Sequence, residues 1–212
     1  MRNELKPVVL SLLLLALTMA VAPTGFSQGS SSPAAAPQAA SPAASGARAE
    51  FLDNLDYYEQ RFLRLAEAVP ADKYSWRLNE GVRSISEIYL HVAAANFNLP
   101  KLLGTQPPAG FDAAKLQSSS MDKSQTIQTL KDSFAHMRGA AARLSDTDVD
   151  KPVKLLGKDS TYRGVFFFIV RHWGEQLGQA VAYGRMNGVV PPWTEEQQQQ
   201  QKQPKPADKP KP

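Results

Sequence analysis

Two of the three histidines in this chain, His91 and His172, occupy positions that would point an imidazole into a helical core. His91 stands between Ile88 and Ala95 in an apolar run, and Gln176 follows His172 by four positions. Residues four apart on a helix lie one above the other on the same face. Neutral imidazole is the commonest transition-metal ligand, so two imidazoles from facing helices and a third donor one turn away would form an open three-ligand metal site.

A second interpretation of these residues stays open, because a histidine on an apolar face is often a core residue bonded to a carbonyl or a carboxylate. Glu175 is either a carboxylate that holds the tautomer of one imidazole or an exposed helix residue. His136 lies one position before Met137 and off the apolar seam of its helix, which predicts that it faces solvent. The candidate ligands are therefore His91, His172 and Gln176.

Composition excludes several classes of protein. The chain has 24 Lys plus Arg against 20 Asp plus Glu, a net charge of +4, and no cysteine. These charges form no basic run beyond a spaced lysine tail, which predicts that nucleic acid is not a partner. The lack of cysteine excludes disulfides, thiolate nucleophiles and Cys-ligated metals. No glycine-rich phosphate loop, Ser/His/Asp order or zinc-protease helix motif is present.

The apolar spacing predicts the elements that would position the candidate ligands. In four segments, apolar residues recur every three or four positions, which is typical of amphipathic helices. These predicted helices cover residues 51–69, 84–99, 122–144 and 161–188. Runs that alternate apolar and polar residues, typical of half-buried strands, are absent, so the predicted fold class is all-α, a four-helix bundle. The connections 70–83 and 104–120 exceed what a simple helical hairpin needs, so one or both helix pairs are expected to cross over.

Composition also divides the chain into four parts. Residues 1–28 place Arg2 and Lys6 before an apolar stretch shorter than a bilayer core requires, which predicts a secretory signal peptide; an uncleaved anchor is the alternative. An Ala/Pro/Ser-rich flexible linker (29–49), a helical domain (50–194) and a disordered Gln/Lys/Pro-rich tail (195–212) follow. The expected location is the periplasm or the outside of a bacterial cell, with no stable membrane insertion once the signal is cut.

Three segments of the chain carry a family resemblance. They are YSWR at 74–77, the stretch from EGVRS through Glu87 and His91 to AAN at 94–96, and the stretch from GQ at 178–179 through AY to RMNGVVPP at 185–192. Together they resemble the DinB-like family. Proteins of that family are similar in being four-helix bundles, often dimeric, whose divalent metal is held by three histidines. One histidine is on the second helix and two, four residues apart, are on the fourth. The resemblance implies that His91 and His172 are ligands and places Gln176 where the third histidine is expected. An amide oxygen is a weaker donor than imidazole for nickel or zinc, so the resemblance implies a degenerate site.

Three functional interpretations follow from this sequence. The first is an exported DinB-like domain with a divalent-metal site between the second and fourth helices and an unassigned binding or metal-dependent activity. The second is a metal-dependent transferase or hydrolase, because some members of the family resemble thiol transferases. The third is a structural or interaction module without metal. A small-molecule ligand is an expected partner. Surplus apolar residues on the fourth helix predict a homodimer through Phe166, Phe167, Val170 and Trp173.

Overall fold

Four long helices form the body of the protein, for which a computed structural model describes residues 43–202. They are α1 (Gly46–Ala68), α2 (Ile85–Asn98), α4 (Lys123–Ala142) and α5 (Tyr162–Met186). The smaller elements are helices α3 (Ala113–Gln117) and α6 (Pro192–Lys202), strands β1 (Pro152–Leu155) and β2 (Lys158–Thr161), and 3-10 turns at Ala71–Lys73, Leu99–Leu103 and Asp146–Asp150. The predicted four-helix bundle is confirmed. The predicted signal peptide, linker residues 29–42 and tail residues 203–212 lie outside the described residues.

The four long helices are arranged in two opposed pairs. α1 packs against α4 and α5, and α2 packs against the same two helices. α1 and α2 therefore lie across the bundle from each other, so the connection 70–83 is a crossover of the predicted kind. The connection 104–120 joins the neighbouring helices α2 and α4 and uses its extra length to form α3. No helix within residues 43–202 is both long enough and apolar enough to span a bilayer.

Trp173 of α5 lies near the centre of the core and is fully buried. Its ring centroid is 5.6 Å from those of Phe51 and Tyr58 on α1 and of Phe134 on α4. Aromatic rings at such distances contribute packing energy beyond the area they bury. These contacts fix the rotation of α5 and therefore the direction in which the preceding residue, His172, points.

Capping interactions set where the site-bearing helices begin. The Ser84 hydroxyl accepts from the backbone N–H of Glu87 at 3.3 Å, and the Glu87 carboxylate accepts from the N–H of Ser84 at 2.7 Å. Asp122 and Gln125 form the same reciprocal pair at the start of α4. Thr161 caps α5 by accepting from the N–H of Gly164. These caps satisfy N–H groups that a helix leaves unpaired, and they fix the register of His91 on α2.

The prediction that the chain has no strands is wrong for residues 152–161. β1 and β2 pair antiparallel, with Val153 opposite Ser160, in a hairpin that leads directly into α5. Each strand has only four residues: β1 alternates between exposed and partly buried positions but is too short to stand out in the sequence, and β2 does not alternate. The turn combines Gly157 at φ 80° with Leu156 at φ 51°, a region that non-glycine residues seldom adopt.

Both ends of the helical domain extend beyond the predicted boundaries. α1 begins at Gly46 rather than near residue 50, because Arg48 is buried and its guanidinium bonds Asp146 at 2.6 Å. α6 occupies residues for which the sequence predicted an extended tail. Glutamine has a good helix propensity, and Trp193 at the start of α6 lies 4.6 Å from the guanidinium of Arg61 on α1. The bond between Arg48 and Asp146 stabilises the extension of α1, and the contact between Arg61 and Trp193 stabilises α6.

Candidate metal centre between α2 and α5

The structure brings His91 and His172 into contact from two different helices. Their ring centroids are 5.0 Å apart, with an interplanar angle of 72°. His91 is on α2 and His172 on α5, which pack against each other. Both side chains are half-buried, so the pair lies at the edge of the core. Two residues 81 positions apart in the sequence, by the difference of their numbers, are thus neighbours in space.

His172 and Gln176 each present a buried polar atom without a partner. His172 Nε2 and Gln176 Oε1 are shielded from solvent and make no hydrogen bond. They belong to side chains one helical turn apart on α5. An unsatisfied buried polar group costs roughly 1–3 kcal/mol, and an ion bound between these two atoms would remove that cost. The donor types, an imidazole nitrogen and an amide oxygen, fit a divalent transition metal.

Gln117, which the sequence did not indicate, is the hydrogen-bond partner of His91. Its Oε1 lies 2.6 Å from His91 Nδ1, and its Nε2 donates to the carbonyl of Ala113 at 3.2 Å. Gln117 is the last residue of α3, which Asp112 caps by accepting from two backbone N–H groups. No other hydrogen bond of the His91 ring is found within residues 43–202, so Nε2 stays free for another partner.

A cleft beside the two imidazoles, here called the histidine cleft, has a volume of about 320 Å³. Its walls are mainly apolar, with two polar side chains, Asn98 and Gln117, in addition to the two imidazoles. The lining consists of His91, Ala94, Ala95, Asn98, Leu99, Ala113, Gln117, Phe168 and His172. Gln176 is outside this lining, and its Oε1 is shielded from solvent. The lining contains no carboxylate, and its size suits a small molecule.

Burial keeps both imidazoles neutral. Burial is the main cause, and repulsion from Arg83, Arg171 and the protonated form of His91 adds to it; together they lower the pKa of His172 from 6.5 to about 4. Burial also lowers the pKa of His91, against the opposing effect of its bond to Gln117. Loss of solvation penalises the charged form of an imidazole. At neutral pH both rings are therefore in the form that binds metals.

Glu175 is not a partner of either imidazole. Its carboxylate is exposed and lies 3.6 Å from the guanidinium of Arg171. Glu175 is thus an exposed helix residue, which was one of the two alternatives considered from the sequence. The side-chain oxygen of Gln117, and not a carboxylate, is the hydrogen-bond partner of an imidazole. Among residues 43–202, no group of three His, Cys, Asp or Glu side chains is placed to hold a metal ion. A metal here would depend on the amide of Gln176 as well as the two histidines.

His136, the remaining histidine, differs from its predicted exposure. It is half-buried, its Nε2 is shielded without a partner, and its ring centroid lies 5.6 Å from that of Phe97 on α2. Phe97 in turn contacts Phe111 from the long connection, at 5.4 Å. The prediction was wrong because it considered only the seam of one helix. Side chains from α2 and the connection cover that face of α4.

The fold and site together define a class of protein: a helical bundle with a histidine pair between its second and last long helices. The sequence profile of the DinB superfamily matches residues 54–180, which is more than half of the chain. The chain therefore belongs to the DinB superfamily. The matched residues include His91, His172 and Gln176.

Solved structures of DinB-like proteins share this fold at low sequence identity. A DinB-like protein from Bacillus cereus is 12% identical, with a TM-score of 0.60 over 67% of this chain and 93% of that one. A DinB-like protein from Bacillus subtilis, YjoA, is 17% identical, with a TM-score of 0.53 over 66% of this chain and 93% of that one. No curated protein sequence matches the chain significantly. At these identities the similarity shows the fold alone.

Proposed function

We propose that this protein is an exported DinB-like domain that binds a divalent metal ion, nickel, zinc or a similar ion, between α2 and α5. His91, His172 and Gln176 are the proposed ligands. The observation that carries the proposal is the pair of unpartnered buried atoms, His172 Nε2 and Gln176 Oε1, together with the second imidazole, His91, whose ring centroid is 5.0 Å from that of His172. A shared ion would satisfy both atoms without a proton.

The chain's own residues would hold the ion and shape its surroundings. A divalent ion with three protein ligands supplies Lewis-acid chemistry to a water or a substrate oxygen. Phe168 and Leu99 exclude water from part of the histidine cleft, and Asn98 offers an amide that can orient a bound molecule. These features support a small-molecule ligand that lies in the cleft. The activity of this site, whether binding or catalysis, is unassigned.

Metal analysis of three single-histidine variants tests the proposal. His91→Ala and His172→Ala are expected to lose the bound ion, because each removes one of only two imidazole donors. His136→Ala is the matched control, since it removes the only other histidine and leaves the site intact. Isothermal titration with zinc or nickel gives the affinity of each variant. Metal content that is low in the wild type and unchanged by the first two substitutions would contradict the proposal.

Two other functions would give different results. A metal-dependent transferase or hydrolase predicts turnover of thiol or ester substrates that requires added ion and disappears in His172→Ala. A structural module without metal predicts a Tm that a chelator does not change, since only a bound ion links stability to metal concentration. A hydrogen-bond network of His91, His172 and Gln176 receives no support, because His172 Nε2 and Gln176 Oε1 have no partner.

The proposal includes a homodimer through the outer face of α1 and α5. Phe167 is 68% exposed, and it borders an apolar groove with Phe51 and Val170. Phe166 and Trp173, which the sequence grouped with this surface, are buried against Phe51 and belong to the core. A second copy of the chain would cover the exposed phenylalanine.

Export is the remaining part of the proposal, and it rests on the sequence of residues 1–28. Mass spectrometry of the protein recovered from the periplasm and from the culture medium tests it. Cleavage near Ser27 or Gln28 is expected. Recovery of the full-length chain from the cytoplasm alone would contradict it.

A further inference from the structure

Both ends of the Gln117 side-chain amide are engaged, which fixes its orientation. Nε2 donates to the carbonyl oxygen of Ala113 at 3.2 Å. If the amide were flipped, its oxygen could not make this bond, because an amide oxygen cannot donate. Oε1 is therefore the atom that faces His91 Nδ1 at 2.6 Å. An amide oxygen only accepts, so the proton between the two side chains belongs to His91 Nδ1.

This bond selects one of the two neutral tautomers of His91. With the proton on Nδ1, the lone pair of the ring is on Nε2, and only a nitrogen with a free lone pair can bind a metal. Metal-binding histidines commonly donate their other ring N–H to an oxygen that holds the ring in place. The same side chain also restrains rotation of the ring, because a hydrogen bond of 2.6 Å is directional.

We propose that Gln117 is a positioning residue that holds His91 in the Nδ1–H tautomer and so prepares Nε2 as the metal-binding nitrogen. The inference deepens the proposed metal function and rests on it. It also gives the long connection 104–120 a role, since that connection carries α3 to His91. Asp112 caps α3 through the N–H groups of Ala114 and Lys115, and Leu116 packs against the core, so the short helix is held at both sides.

Nitrogen-15 NMR of the metal-free protein tests the tautomer without reference to metal. A ring nitrogen that carries a proton and one that does not have distinct chemical shifts. In the wild type, Nδ1 of His91 is expected to be protonated and Nε2 unprotonated. Gln117→Leu is expected to give a mixture of tautomers. Ser118→Ala, which removes only the hydroxyl's two bonds to backbone carbonyls of α3, is expected to leave the spectrum of His91 unchanged. A wild-type Nε2–H tautomer, or no change in Gln117→Leu, would overturn the inference.

Zinc titration of the same variants measures the consequence for binding. Loss of an outer hydrogen-bond partner weakens metal binding by roughly 10–100-fold, and this is the expected effect of Gln117→Leu. Gln117→Glu keeps an oxygen acceptor and is expected to bind at least as tightly as the wild type. If zinc binds Gln117→Leu with wild-type affinity, the inference is wrong although the site exists. If the wild type binds no ion, the proposed function is wrong, and the NMR result alone decides the role of Gln117.

Discussion

Trp173 donates its indole N–H to the side-chain oxygen of Asn96 at 2.8 Å, and this bond joins α5 to α2 next to the two candidate ligands. Asn96 also donates to the hydroxyl of Ser133 on α4 at 3.2 Å. All three residues are buried, so water does not compete for these hydrogen bonds. A directional bond between fully packed helices sets their register. It therefore contributes to the contact between His91 and His172.

Asn96→Ala tests this link between stability and site. The change leaves the buried indole N–H of Trp173 without an acceptor, which is expected to lower the free energy of unfolding by about 2 kcal/mol. Urea denaturation measures the loss. Asn54→Ala is the control, because the bond it removes is at the surface and its expected effect is below about 0.5 kcal/mol. Equal effects of the two substitutions would show that Asn96 does not fix the helix register.

Gln176→His is expected to strengthen metal binding. It replaces a neutral amide oxygen with an imidazole at a position one turn from His172, and imidazole is the better donor for zinc and nickel. A gain on the order of tenfold, or about 1.4 kcal/mol, is expected in a calorimetric titration. Gln106→His, at an exposed position of the long connection, controls for the added histidine. Unchanged or weaker binding in Gln176→His would mean that residue 176 does not face the ion.

Acid is expected to destabilise the metal-free protein through His172. Its pKa falls from 6.5 to about 4 on folding because the ring is buried. Between these values the unfolded state binds more protons than the folded state, so stability decreases as the pH falls from about 6.5 to about 4. Urea midpoints at pH 7 and pH 5, with a chelator present, measure the effect. The decrease should be smaller in His172→Gln; an equal decrease in both proteins would assign the dependence to other groups.

Phe167→Ser is expected to shift the proposed dimer toward monomer. The substitution removes the most exposed aromatic side chain of the described residues, which borders the apolar groove between α1 and α5. Light scattering over a range of concentrations measures the mass. Leu156→Ser at the tip of the hairpin is the matched control, since Leu156 is also apolar and is 77% exposed but does not line that groove. A wild type that is monomeric at all concentrations would exclude the dimer.

The long helices and the histidine pair were predictable because their signals are local. Capping boxes at Ser84 and Asp122 and apolar residues at helical spacing each lie within one element. On α5, Val165 and Ile169 are followed at helical spacing by His172 and Gln176, so the change from apolar to polar at His172 is visible in the same way. The position of His172 opposite His91 then follows from the packing of a small bundle.

Gln117 and His136 were not predicted correctly because their surroundings come from elsewhere in the chain. Gln117 belongs to a helix of five residues inside a long connection, and nothing in its neighbours indicates a partner 26 positions away. His136 is covered by Phe97 from a different helix. The hairpin was missed for a related reason, since its turn uses Leu156 where a hairpin normally has Asn, Asp or Gly.

Anomalous diffraction from a crystal soaked in zinc tests the central claim most directly. A single peak is expected at about 2.0–2.2 Å from one nitrogen of His91, from His172 Nε2 and from the side-chain oxygen of Gln176, the distances typical of zinc ligands. His91 should bind through Nε2, with Nδ1 still bonded to Gln117. A crystal that contains zinc elsewhere but shows no peak between these three side chains would contradict the account.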